Sequence, residues 1–306
     1  MKLPRLALAI LLVVSLNVGA RTGFFAYSRG MAYAQLNTLD SDMPSFENRL
    51  ETDHFILKWT NKSRHSEDNI KDPQIIKDTA EYLEQAWTKY TELFGRKPYT
   101  APGRDKIEVV FRDIDCFGVA DPPDGPIQFN SDAWVHHKGI RQPTSAHELF
   151  HKMQYAYGYK TVWKPQRPYQ WFTEGTAAWS EVFVWGRVSR TCKVDAIFKD
   201  TKMDLYHSDD MAMPFWIHFV QGNHEHPNNH LMVEFFEKCE QLHNERLALN
   251  EVIQKTYGPV DAFFNAFEKN RKNGFWSDTA CPIPYRCILG PEGNDIVGEV
   301  KSFQGK

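Results

Sequence analysis

The chain has no strongly basic run, and its formal net charge is −3 over 306 residues. A generic nucleic-acid binder needs a clustered cationic face to neutralise phosphates, so that class is excluded. Beyond Val18 no apolar run is long enough to cross a bilayer, which excludes a multi-span membrane architecture. No two cysteines stand in Cys-x-x-Cys spacing, so a structural zinc site built on thiolates is not indicated. Internal repeats and low-complexity stretches are also missing. What remains, with 42% hydrophobic and 25% charged residues, is an ordinary globular composition. It is long enough for one large domain or two small ones.

The first residues read as a targeting segment. Lys2 and Arg5 precede an apolar run from Leu6 to Val18, broken only by Ser15 and Asn17. That is the n-region and h-region of a secretory signal. Cleavage fits after Ala20 or after Ala34, and an uncleaved membrane anchor is the alternative. Residues 1–34 are therefore assigned to export, and the mature protein is expected to be secreted or periplasmic. Five cysteines agree with that compartment. Cys281 and Cys287 can close a small loop, while Cys116, Cys192 and Cys239 leave one thiol over whichever bond forms.

Periodicity divides the rest of the chain. Residues 51–60, rich in apolar and aromatic side chains, read as a first strand. Asp72 and Pro73 make an N-cap and first-turn pair, and Ile76, Ala80, Leu83, Trp87, Tyr90 and Phe94 keep helical spacing up to Gly95. Ile107 to Phe111 predicts a short buried strand. The Pro/Gly-rich stretch from Cys116 to Trp134 holds another at Ile127–Phe129. Helices are predicted over 209–221, around Met232 to Cys239, over 252–257 and over 261–269. These elements imply one domain over residues 45–278, followed by a Pro/Gly-rich tail over 279–306.

One stretch organises the whole, and it begins at Pro143-Thr144-Ser145-Ala146-His147-Glu148-Leu149-Phe150-His151. Two histidines four apart on a helix project from one face, about one turn apart, which suits two ligands of one tetrahedral metal. Glu148, beside His147, sits where it can take a proton from water at the metal's open position. This is the His-Glu-x-x-His pattern of zinc metallopeptidases. A catalytic zinc needs a third protein ligand. Glu174, in Trp171-Phe172-Thr173-Glu174-Gly175-Thr176-Ala177, is the candidate. Glu181, seven residues on and on the same helical face, can receive the outer N–H of a metal-bound histidine.

His-Glu-x-x-His followed by Trp-Phe-x-Glu-Gly-x-Ala resembles the gluzincins, zincin peptidases whose third ligand is a glutamate. The likeness is to the peptidase MA-like group. Its motifs cover roughly residues 142–187, and a weaker order of elements extends it over residues 50–275. Departures narrow the choice. A metzincin would carry Gly and His where this chain has Gln154 and Tyr157. Thermolysin-like enzymes would have Asn and Asp where Thr173 and Ala178 stand. The Gly-x-Met-Glu-Asn segment of aminopeptidase N relatives is absent upstream of His147, which removes the main support for an exopeptidase.

The resemblance implies an α+β, zincin-like fold. A mixed sheet and the active-site helix would occupy the N-terminal half, and a mostly helical C-terminal half would complete a zinc cleft. It implies Zn2+ on His147, His151 and Glu174, with Glu148 as general base. A Tyr or His from the helical half would stabilise the oxyanion, and Tyr206 is the candidate, with His207 beside it. Relatives often place that Tyr early in the next helix, where this chain has Asp210 and Met211. Zincins also bind substrate by strand addition at a sheet edge, for which the 116–134 stretch is the candidate. The expected partner is a peptide or unfolded protein, with no nucleic acid, and with membrane contact only through an uncleaved N-terminal anchor. A non-catalytic zinc-binding or surface-binding protein on the same scaffold is the alternative. The intact Glu148 argues against it. His136, His137, His224, His226 and His230 read as solvated turn residues rather than a second metal site.

Overall fold

The structure, a computed structural model, describes residues 44–186, 205–207, 212–222 and 227–272. Residues 1–34, expected to direct export, the tail from residue 279, and Cys192, Cys281 and Cys287 lie outside the described residues. Among the described residues no helix is long and apolar enough to cross a membrane.

Every described strand precedes residue 131, and the described chain after it is helical. The strands are β1 (Asn48–Glu51), β2 (Phe55–Trp59), β3 (Ile107–Arg112), β4 (Gly118–Val119) and β5 (Ile127–Asn130). They form one mixed sheet in the order β1-β2-β3-β5-β4. β2, β3 and β5 run parallel, while β1 and β4 are antiparallel to their neighbours. Phe55, Leu57, Val109, Phe111, Ile127 and Phe129 are wholly buried. The fold is thus α+β, as expected.

The 116–134 stretch does hold a sheet edge, but the edge is β4 and not the strand at Ile127–Phe129, with which β4 pairs through Gly118 opposite Phe129 and Val119 opposite Gln128. A two-residue strand has no period of its own, so nothing in the pattern marked it. β1 also escaped notice, since its polar Asn-Arg-Leu-Glu run alternates too weakly to stand out from a loop.

Helix α1 (Pro73–Phe94) connects β2 to β3. Its start is set as the sequence indicates. Asp72 caps it by accepting from the Gln74 N–H at 2.9 Å, and Pro73 occupies the first turn without needing a donor. Gly95 ends it in a left-handed conformation, its N–H donating to Thr91. The predicted face from Ile76 to Phe94 is the buried one.

A short helix, α2 (Ser131–His136), follows β5, capped by Asn130 accepting from the Ala133 N–H at 2.7 Å. Then come α3 (Arg141–Ala156), α4 (Gln170–Trp185), α5 (Met213–Gln221), α6 (His230–Leu242), α7 (Glu245–Tyr257) and α8 (Val260–Lys272). α3 is an interior helix, with residues from Ser145 to Phe150 all buried. It packs between α1 and α4. The Tyr90 hydroxyl of α1 lies 2.8 Å from the Ala146 carbonyl of α3 and 2.9 Å from Ser180 Oγ of α4, tying the three together. Arg96 makes a two-pronged pair with Glu240 of α6 while donating to the Ala156 carbonyl. The aromatics Trp163, Trp171 and Trp179 are core residues.

Candidate metal centre on helices α3 and α4

His147 and His151 lie one turn apart on α3, with ring centroids 5.0 Å apart. Glu174 enters from the first turns of α4. Its Oε2 stands 3.2 Å from His147 Nε2 and 3.7 Å from His151 Nε2. One ligand atom from each of the three residues falls within 4.8 Å of the others, so the group can hold a metal ion. Ligands about 2.0–2.2 Å from a tetrahedral dication stand about 3.3–3.6 Å apart, close to the separations seen.

The orientation of each ring follows from what holds its other nitrogen. His147 Nδ1 meets Glu181 Oε1 at 2.8 Å, with both residues almost wholly buried. A proton on Nδ1 therefore leaves Nε2 as the free lone pair, directed at Glu174. His151 Nδ1 meets Gln154 Oε1 at 3.0 Å. The Gln154 amide is itself oriented, since its NH2 donates to the Thr173 carbonyl at 2.7 Å and to Thr176 Oγ1 at 3.0 Å. Only its oxygen can then face His151. Both histidines thus present Nε2 to one point.

Electrostatics favour a cation there. Burial opposes charge on His147, but the Glu174 and Glu181 carboxylates at its two nitrogens outweigh this and push its pKa well above the usual imidazole value. Glu148, Glu174 and Glu181 gather three acids around two imidazoles, and Glu148 and Glu181 are buried. That concentration of negative charge suits a divalent ion on the three ligands.

No family model matches the chain. No curated protein matches it either. Among solved structures it is similar to a mutant of an M1 zinc metallopeptidase from Deinococcus radiodurans, with a TM-score of 0.40 and 12% identity. That match covers 79% of this chain and 53% of the other. A mutant of a functionally unknown conserved protein from Bacillus anthracis str. Ames matches at a TM-score of 0.37 and 12% identity, over 72% of this chain and 51% of that one. A further structure of a functionally unknown conserved protein from the same organism matches at 0.34. The chain spans about half the length of the structures it matches. The chemistry of the site is read from its own side chains.

Glu148, between the two histidines in sequence, is buried, and the backbone of β4 lies against it at Gly118. Gly175 directly follows Glu174 and faces α5. A Cβ there would lie 2.7 Å from Trp216 Nε1 and 2.8 Å from the Ala212 Cβ. A glycine after Glu174 thus allows α5 to approach α4, and the Trp216 N–H to donate to the Trp171 carbonyl at 2.9 Å.

Tyr206 sits in a single 3-10 turn, Leu205–His207, against α4. Its ring stands edge-on to Trp171 at 5.1 Å, and the Arg246 guanidinium lies 4.3 Å from its centroid. Asp210, Met211, His224 and His226 lie outside the described residues. His230 is exposed at the start of α6, and His136 pairs with Asp132 at 3.4 Å on the surface. Among the described residues no second cluster of metal-ligating side chains forms.

Gln154 is the functional residue that the sequence did not reveal. It entered only as a departure from the metzincin pattern, yet it orients His151. The usable signal was a glutamine three residues after a ligand, inside a helix otherwise filled with buried residues.

Proposed function

We propose that the chain is an exported zinc-dependent peptidase that cleaves within extended or unfolded polypeptides. The observation that supports this most is the convergence of His147 Nε2, His151 Nε2 and Glu174 Oε2, with the outer nitrogen of His147 held by buried Glu181. A two-histidine, one-carboxylate set of nitrogen and oxygen donors suits zinc and leaves one position open. When bound, zinc lowers the pKa of water toward neutrality and polarises a peptide carbonyl.

The chain's own residues supply the rest. Glu148 takes a proton from the attacking water and passes it to the leaving amine. His147 and His151 keep the tautomers that Glu181 and Gln154 impose, so no proton is lost to the ligands during the reaction. Tyr206 is the proposed oxyanion donor, brought from the helical half beside α4. Substrate is proposed to add as a strand along β4, the sheet edge beside Glu148. Strand addition reads main chain rather than shape, which favours unfolded substrates. Export is proposed from Lys2, Arg5 and the apolar run after them.

The test is a peptide-library digest with protein as purified, after chelation, and after zinc is restored. Cleavage that disappears on chelation and returns with zinc is the expected result. Cleavage indifferent to both treatments would refute the assignment.

A further inference from the structure

Position 118 is a glycine for a reason other than backbone conformation. Its φ lies outside the left-handed region that favours glycine. What demands the missing side chain is contact. A Cβ built on Gly118 would lie 2.7 Å from Glu148 Cγ, 2.8 Å from Oε1 and 2.9 Å from Cδ. Carbon atoms in ordinary contact stand about 3.5–4.0 Å apart, so something would have to move.

The surroundings decide what moves. β4 is held on both sides. The Asn130 N–H donates to the Phe117 carbonyl at 3.0 Å, and the Asn130 side chain donates to the Ile114 carbonyl. The Cys116 thiol donates to the Gly118 carbonyl at 3.2 Å. After the strand, the buried Lys152 ammonium donates to the Pro123 and Gly125 carbonyls, both at 2.8 Å. On the other side, the α3 backbone is tied at Ala146 by Tyr90. The soft degrees of freedom are the Glu148 side-chain torsions, and rotating them is cheap compared with displacing a pinned strand or a buried helix.

We propose that Gly118 is a positioning residue for Glu148. Its lack of a side chain lets the sheet edge lie against the base while leaving the carboxylate in its place beside the metal ligands. The proposal rests on the reading of Glu148 as general base. It predicts an unusual split, in which a methyl group at 118 costs the fold little, because the atoms that yield, from Cγ outward, belong to one side chain. It costs the reaction much, because those atoms are the base.

The experiment uses the full chain with Gly118→Ala, Glu148→Ala and the double variant, plus Glu148→Gln as reference. Zinc content and affinity, read by competition with a chromophoric chelator, should be unchanged in Gly118→Ala. Its kcat on a fluorogenic peptide chosen from the library digest should fall by about 10- to 100-fold, since a misplacement of about 1 Å can cost about 100-fold. KM should stay within about twofold. A merely structural defect in β4 would instead raise KM or weaken zinc, and either result overturns the proposal. Full kcat in Gly118→Ala beside an inactive Glu148→Gln overturns it too, while leaving the peptidase reading intact. Full activity in Glu148→Gln would remove that reading itself.

Thermal melts supply the readout that needs no activity. Whatever drop in Tm Gly118→Ala causes should disappear in the Glu148→Ala background, where the obstructing atoms are gone. A drop of several degrees that is equal in both backgrounds would show that Glu148 is not what requires glycine at 118, and the proposal fails. This arm decides even if Gly118→Ala folds poorly on its own, because the double variant is predicted to recover.

Discussion

Helices α3 and α4 on one side, and α6 and α7 on the other, both bury apolar residues, but they differ in how many polar groups they bury with them. The inner face of α6 is Leu231, Met232, Phe235, Phe236 and Cys239. Its charges point outward, where Lys255 reaches Glu234 at 2.7 Å and Lys238 reaches Glu251 at 3.1 Å. Only Glu245, at the start of α7, brings a carboxylate inside, where its Oε1 accepts from the Gln166 N–H at 3.1 Å. Between α3 and α4 the buried set includes His147, Glu148, Gln154, Thr173, Thr176, Ser180 and Glu181. Hydrogen bonds run from Glu181 through His147 to Glu174, and from His151 through Gln154 to Thr173 and Thr176.

The difference teaches where chemistry is held. A polar network inside a domain is an expensive way to gain stability, because apolar residues of similar volume often do as well or better. It does orient side chains that apolar packing would leave free to rotate. The apolar pair stabilises; the polar pair aims ligands. Mutations in the two regions should therefore fail in different ways.

The largest contrast comes from removing a ligand against removing a core ring. His151→Ala or Glu174→Ala should lose most of the bound zinc and all measurable cleavage, read by metal analysis of the purified protein. Phe235→Ala in α6 should cost about 3–5 kcal/mol of stability. Its folded fraction, isolated by gel filtration, should still carry a full complement of metal. Zinc loss in Phe235→Ala at unchanged stability would erase the distinction.

A smaller effect sharpens it. Glu181→Gln keeps the shape beside His147 but removes the carboxylate that holds its Nδ1 proton. Loss of such an outer partner typically weakens metal binding about 10- to 100-fold. Chelator competition should find that loss, and an unchanged affinity would mean Glu181 is only a buried acid. The smallest effect serves as a baseline. Lys255→Ala removes an exposed ion pair with Glu234 and should change stability by no more than about 1 kcal/mol, with metal affinity unaltered, in a denaturant titration.

Legibility followed the strength of each local signal. Helix α1 was readable from Asp72 to Gly95, because cap, first-turn proline, apolar spacing and terminal glycine all agreed. The grouping of His147, His151 and Glu174 was readable because residue type and spacing limit what such a trio can do. Glu181 could be anticipated from its place two turns beyond Glu174, and the structure puts it on His147. The edge strand β4 was not readable, since two residues, one of them glycine, carry no alternation. Helix α2 was hidden inside a Pro/Gly-rich stretch, and it is only six residues long, too short to show a helical period. Gln154 was invisible as an orienting group because its role depends on Thr173 and Thr176, about twenty residues away and on another helix. Long-range hydrogen bonds of that kind leave no period in a sequence.

The central claim is that Glu148 acts as base at a zinc site on α3 and α4, and one measurement reaches it directly. Wild type and Glu148→Gln are brought to equal zinc occupancy, and cleavage of an unfolded protein substrate is followed in both. Gln keeps the volume and should keep the metal, but it cannot accept the proton. General-base catalysis typically contributes about 10²–10⁴-fold, so the variant should be slower by at least about 100-fold. Equal rates at equal zinc would contradict the account, and absence of cleavage by both forms across a broad peptide library would favour a zinc-binding protein without turnover.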